Sequence, residues 1–112
     1  MNNYDAKSFC KNKIVNGNTG KLVEPKTIMI NELIFDEAQN IFGFNYWYWI
    51  GVNDIDNEGN WVYTSTGLPA TTTDFHPAQP TANGDCVFVC YREGKWCDEY
   101  CSSNNWGVIC EF

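Results

Sequence analysis

Between Pro25 and Gly43 the apolar residues Ile30, Leu33, Ile34, Ala38 and Ile41 recur at helical spacing, and Thr27 is placed to cap the segment. The pattern predicts an amphipathic helix that ends at Gly43. An earlier segment, Tyr4 to Asn12, predicts a shorter helix with Tyr4, Phe9 and Cys10 toward a core; it breaks at the cluster Asn16-Gly17-Asn18-Thr19-Gly20. From Tyr46 the pattern changes. The run Tyr46-Trp47-Tyr48-Trp49-Ile50 favours a pleated surface, and Trp61-Val62-Tyr63 reads as a second short strand after the turn Asp56-Asn57-Glu58-Gly59-Asn60. Gly67 to Gly84 is rich in Pro and Thr and has no periodicity, and loops of this length are usually functional or disordered. It ends next to Cys86, where a disulfide can hold its base. Cys86–Tyr91 and Trp96–Asp98 form an expected hairpin around Arg92-Glu93-Gly94-Lys95. With those four residues as the turn, Tyr91 faces Trp96 and Cys90 faces Cys97, at the roughly 4.5 to 5.5 Å that a disulfide bridges.

The chain has 112 residues, room for one domain, expected over residues 1–112, and close to the lower limit for an unaided core. Six cysteines in so short a chain fit an oxidised, extracellular framework. No Cys-x-x-Cys pair occurs and His76 is distant in sequence from every cysteine, so disulfides are preferred to zinc. The formal charge of −7 argues against a nucleic-acid partner, whose affinity comes from clustered Lys and Arg, and makes cations the natural counterpart. Most of the fourteen carboxylates read as solubilising surface. No apolar run is long enough to span a bilayer, and Met1-Asn2-Asn3-Tyr4-Asp5 lacks signal-peptide character, so a mature secreted form without membrane insertion is expected. A nucleophile with an adjacent base is also missing from the sequence, so an enzyme is not expected.

Trp49-Ile50-Gly51-Val52, Gln79-Pro80-Thr81, Trp96-Cys97-Asp98 and Ile109-Cys110-Glu111 follow one another in an order that resembles the C-type lectin-like domain. In that family a Trp-Ile-Gly strand, a Glu-Pro-Asn or Gln-Pro-Asp loop, a Trp-Asn-Asp strand and a terminal Ile-Cys-Glu recur. The resemblance covers Cys10 to Phe112. It implies an α+β, C-type lectin-like fold of two helices and short antiparallel sheets with a long loop, stapled by disulfides. Arithmetic leaves about 15 connectivities for six cysteines. The family implies Cys10 with Cys110 and Cys86 with Cys101, leaving Cys90 and Cys97.

The sugar-binding members hold calcium with oxygens from the proline-centred loop and the Trp-Asn-Asp strand. The resemblance places Gln79, Thr81 and Asp98 at those positions, with Phe75 as the loop aromatic and Asn83 or Asp85 available to complete the set. Cys97 stands where the family has an amide, and Gly84 where it has an acid. A second cation site in the family matches Asp54, Glu58 and Asp85, three carboxylates that repel one another unless a cation joins them. In the family Gln-Pro-Asp goes with galactose-type sugars and Glu-Pro-Asn with mannose-type ones, and Gln79-Pro80 implies the former, with Thr81 in place of the aspartate. Trp47, Trp49, Trp61 and Trp96 are expected in the core, whereas Phe75 and Trp106 lie in loops where a ring can stack on a sugar. Glycans, in particular galactose or N-acetylgalactosamine, are thus the expected partners, with calcium as cofactor and secretion as destination. The alternative is a sugar-independent module of the same fold that binds protein, ice or mineral surfaces. The family usually opens with a strand paired to the C-terminal strand; without it a free edge remains, which suggests a homodimer.

Overall fold

The computed structural model describes every residue except Tyr91 and Asn105. Two helices, α1 (Asn3–Lys11) and α2 (Ile28–Phe42), flank strands β1 (Ile14–Val15), β2 (Asn18–Thr19) and β3 (Lys21–Leu22). The remaining strands are β4 (Tyr48–Asn53), β5 (Val62–Tyr63), β6 (Cys86–Val89), β7 (Trp96–Glu99), β8 (Gly107–Val108) and β9 (Cys110–Glu111). The main sheet runs β5-β4-β6-β7; β8 joins β4 in parallel at Tyr48 and Trp49, while β5 takes Val52 and Asn53. β1 and β2 form a small hairpin, and β9 pairs antiparallel with β3 through Lys21 with Glu111 and Leu22 with Cys110.

Strand alternation divides the core in two. Tyr48, Ile50, Val52, Val87 and Val89 pack with Ala38 of α2, and Trp49, Cys86 and Phe88 pack with Ala6 and Cys10 of α1. With a helix side on each face, β4 and β6 are buried almost throughout, which explains their continuous apolar runs. Trp47 and Trp61 pack at the core margin, and Trp49 and Trp96 lie inside it.

Both helices occur where predicted but are turned differently. Asn2 and Thr27 cap them, accepting the N–H of Asp5 at 2.8 Å and of Ile30 at 3.1 Å. On α1 the buried face is Asn3, Ala6 and Cys10, whereas Tyr4 and Phe9, expected inside, are 52% and 41% exposed. The disulfide at Cys10 fixes that rotation. On α2 the expected core residue Ala38 is buried and Ile34 packs against the core, but Ile30, Leu33 and Ile41 are exposed, and the polar Asn31 is buried with Ala38. A polar anchor sets this face: Asn31 donates to the Gly94 carbonyl at 2.8 Å and to Asp74 at 3.1 Å, and accepts from Trp96 Nε1 at 3.0 Å.

The hairpin register also departs from expectation. Trp96 lies opposite Val89 and Cys97 opposite Phe88, so Cys97 does not face Cys90; Tyr91 itself lies outside the described residues. The turn sits one residue earlier than predicted because Glu93 and Gly94 take consecutive positive φ values of 63° and 78°, and Cys90 N–H donates to the Lys95 carbonyl. Cys90 and Cys97 are still bonded, as diagonal neighbours with Cα atoms 5.8 Å apart. Cys10–Cys110 and Cys86–Cys101 complete the set, at 5.5 and 5.1 Å. Among the described residues no helix is long and apolar enough to cross a membrane.

Candidate functional site

Residues between β5 and β6 form the long loop, which is anchored from below. Phe75 lies with its ring centroid 5.0 Å from Trp61 and 5.6 Å from Trp96, so this loop aromatic is engaged in packing. Beside it the buried Asp74 accepts from Lys95 Nζ at 2.6 Å. Asp74 was not singled out in the sequence; its only signal there is an acid next to an aromatic in an aperiodic stretch.

Above this anchor the loop turns back on β7. Gln79 and Pro80 are joined by a cis peptide bond. Asp98, on the inward face of β7, accepts the Thr81 backbone N–H and hydroxyl at 2.6 Å each and the Gly84 N–H at 3.0 Å. Gln79 Oε1 in turn accepts from the Asp98 N–H at 3.2 Å. The structure thus brings Gln79, Thr81 and Asp98 together. Gly84, where the family carries an acid, is needed for close approach: a Cβ there would collide with the Glu99 backbone and with Asp98 Oδ2. Three protein donors occupy the Asp98 carboxylate. Asn83 is exposed at the loop tip, its N–H on the Thr81 hydroxyl. Trp106 stacks on Phe88 at 4.3 Å, 9° from parallel, which joins it to the α1 side of the core.

A second group forms where β4 meets β6. The register pairs Asn53 with Cys86, so the next residue of one strand and the preceding residue of the other, Asp54 and Asp85, are neighbours; the Asp54 N–H donates to the Asp85 carbonyl at 3.1 Å. The turn after β4, with Gly59 at φ 84°, folds Glu58 back onto them. Oxygens of Asp54, Glu58 and Asp85 all lie within 4.8 Å of one another. Asp54 is 1% exposed; its Oδ2 accepts the Gly59 N–H at 2.8 Å, while its Oδ1 is buried with no hydrogen-bond partner among the described residues. Burial first, and then Glu58, push the Asp54 carboxyl above its ordinary range against the Gly59 bond. Asp85 is pushed the same way by burial, by Asp54 and by Asp98. Three hard oxygens, one of them an orphan, suit a divalent cation of the calcium type.

The Lectin C-type domain profile matches residues 1–112. The chain belongs to the C-type lectin domain family. A mannose-binding protein of Gallus gallus is 40% identical over 65 residues, covering 56% of this chain and 25% of that protein. Collectin-10 of Mus musculus is 34% identical over 96 residues, covering 83% of this chain and 33% of that protein. The chain spans less than two thirds of the length of either. Among solved structures the C-type lectin CEL-I from Cucumaria echinata superposes with a TM-score of 0.80 at 20% identity, over 92% of this chain and 77% of that one. The family is one of lectins rather than enzymes, which is consistent with the expectation that this domain is not an enzyme.

Proposed function

We propose that this is an extracellular carbohydrate-binding domain of the galactose or N-acetylgalactosamine type, in which a calcium ion bound by Asp54, Glu58 and Asp85 braces the long loop. The sugar site is Gln79, Thr81, Asn83 and Asp98, with Asp85 behind it and Phe75 beneath. The observation that carries the reading is the Asp98 carboxylate, held by Thr81 and Gly84 beside Gln79. Carboxylate and amide side by side offer an acceptor and a donor to adjacent ring hydroxyls. Because donors of the loop itself fill most of the Asp98 lone pairs, the sugar is bound by direct hydrogen bonds and not through a metal bridge. The calcium acts one step away: it joins the two strands that carry the loop and relieves the repulsion among the three acids.

A glycan array read with calcium and again with chelator tests this. Binding to galactose-type glycans that weakens but survives chelation is expected, and Gln79→Ala abolishes it. The competing reading, a sugar-independent contact module, is favoured by the same capped Asp98 and by a fold likeness to a calcium-independent type II antifreeze protein, with a TM-score of 0.76 at 22% identity over 98% of this chain and 77% of that one. An array with no bound glycan would shift the assignment to that module. The homodimer is part of the proposal: among the described residues β9 pairs with β3 alone in its sheet, so its other edge can accept a second copy. Sedimentation at micromolar concentration giving only monomer removes that part.

A further inference from the structure

Basic and acidic residues are unevenly distributed along this chain. Residues 1–26 hold five of the seven cationic side chains and two of the fourteen acidic ones, a local charge of +3, and residues 27–112 carry −10. The fold gathers three of those five around one concavity. A cleft of about 480 Å³ between α1, β3 and the turn after β5 is lined by Lys7, Lys11 and Lys21 with the hydroxyls of Thr19, Thr64 and Ser65. Its size is that of a small-ligand site.

Two of the three cations there are not neutralised by an acid among the described residues. Lys7 and Lys11 stand one turn apart on the same face of α1, a spacing at which like charges repel, and neither makes an ion pair among the described residues. Glu24 also lines the cleft, but its carboxylate is engaged, accepting from Ser65 N at 2.8 Å, Ser65 Oγ at 2.9 Å and Lys26 Nζ at 3.0 Å. It holds Lys21 at 3.6 Å and does not reach Lys7 or Lys11; Lys7 Nζ lies 5.4 Å over the Tyr4 ring, a contact that leaves its charge unneutralised. The frame is rigid, because the Cys10–Cys110 bond ties α1 to β9, and Gly20 passes so close beneath that a Cβ would collide with the Cys10 carbonyl and the Phe112 ring. Leu22 closes the floor from within the core, 2% exposed.

A ligand suited to this surface brings oxyanions to the ammonium groups and hydroxyls to the Thr and Ser side chains. Those two properties coincide in a sugar chain with acidic substituents. We infer that the cleft is a second ligand site, separate from the Gln79 loop and the Asp54 cluster, that takes an acidic oligosaccharide whose sulfate or carboxylate groups pair with Lys7 and Lys11.

The test is calorimetry and amide-shift NMR on the full chain in EDTA, so that neither calcium nor a metal-dependent sugar site contributes. Three tetrasaccharides are compared: heparin-derived, hyaluronan and neutral chitotetraose. The heparin fragment is expected to bind, to shift amides around Lys7, Lys11, Thr19 and Ser65, and to weaken as salt rises. Hyaluronan binding as well would assign recognition to carboxylate; its failure would assign it to sulfate; both agree with the site. Lys7→Gln with Lys11→Gln, the first half-buried and the second exposed and the pair checked for an unchanged melting curve, should lower affinity about tenfold or more through two lost charge-assisted contacts. Arg92→Gln, off the cleft, should have little effect. Unchanged binding by the double variant, equal weakening by Arg92→Gln, or equal binding of chitotetraose overturns the inference. So does failure of all three sugars, including the case in which the chain instead self-associates through its acidic face and the double variant abolishes it.

Discussion

Asp98 accepts Thr81 twice, from its backbone N–H and from its hydroxyl, each at 2.6 Å. With Gly84 as a third donor, the carboxylate serves as a latch for the loop tip. Asp98→Asn turns one acceptor into a donor that faces other donors. It is expected to cost about 2 to 3 kcal/mol, as for charged hydrogen bonds lost in a partly buried setting. Thermal melts measure the loss, and amide exchange at Thr81 and Gly84 should accelerate specifically. Exchange unchanged at those two amides would show that the latch does not hold the loop.

Calcium should stabilise the fold through Asp54, Glu58 and Asp85. At about a hundredfold excess over its Kd a ligand that binds only the folded state adds about 2.7 kcal/mol. Glu58→Gln separates the two effects of this cluster. In chelator the variant should be as stable as the parent or more so, because one repelling charge is gone; in calcium it should gain less. A Glu58→Gln chain that gains the full calcium increment would remove Glu58 from the site.

The same cluster sets a pH dependence in the absence of cation. The carboxyls of Asp54 and Asp85 are raised in the folded state, so their contribution is complete below the unfolded value of about 3.9 and is lost as pH rises through the folded values. Calcium restores stability on the high-pH side, and its benefit should fade on acidification. Glu24 runs the other way: burial raises its carboxyl, but hydrogen bonds from Ser65 and Lys26 outweigh that and lower it. Its contribution is present above the unfolded value of about 4.3 and is lost as pH falls through the folded one. Melting curves across this range, with chelator and with calcium, resolve the two signs.

Replacing both Cys90 and Cys97 by Ser should lower stability by about 2 to 3 kcal/mol, the chain-entropy value for so short a loop, and leave the fold intact. Opening Cys10–Cys110, which spans 100 residues, should cost closer to 5 kcal/mol. Equal losses from the two would mean that the unfolded chain is not the state these bonds act on.

Sequence patterns located the elements better than their orientation. Thr27, Gly43 and the aromatic run from Tyr46 act through local backbone chemistry, and such signals are readable from neighbours in the chain. Which face of α2 is buried depends on Asn31 meeting Gly94, Asp74 and Trp96, contacts between residues distant in sequence, so apolar periodicity alone pointed to Ile30, Leu33 and Ile41. The hairpin slip has a similar cause: hydrophobic alternation is indifferent to a shift of two residues, and positive φ at Glu93 and Gly94 decides it. Asp54, Glu58 and Asp85 were found through the family likeness, and the β4–β6 register supplies the reason they converge. The capping of Asp98 by Gly84 was not legible, because a missing acid reads as a loss until the backbone N–H is seen in its place.

Asn53 is flanked by Val62 on one side and Cys86 on the other, so the chain leaves β4's flank and returns to it across a single rung. The distance the excursion must close is therefore fixed at about two strand spacings, roughly 10 Å, whatever its length. For a closure of fixed span, doubling the number of residues adds only about 0.6 kcal/mol. The frame is thus nearly indifferent to the length and composition of what it displays. Segments could be shortened, lengthened or grafted between the two ends with little thermodynamic penalty, provided that Trp61, Phe75 and Asp74 keep their places beneath them and Thr81 and Gly84 keep their bonds to Asp98.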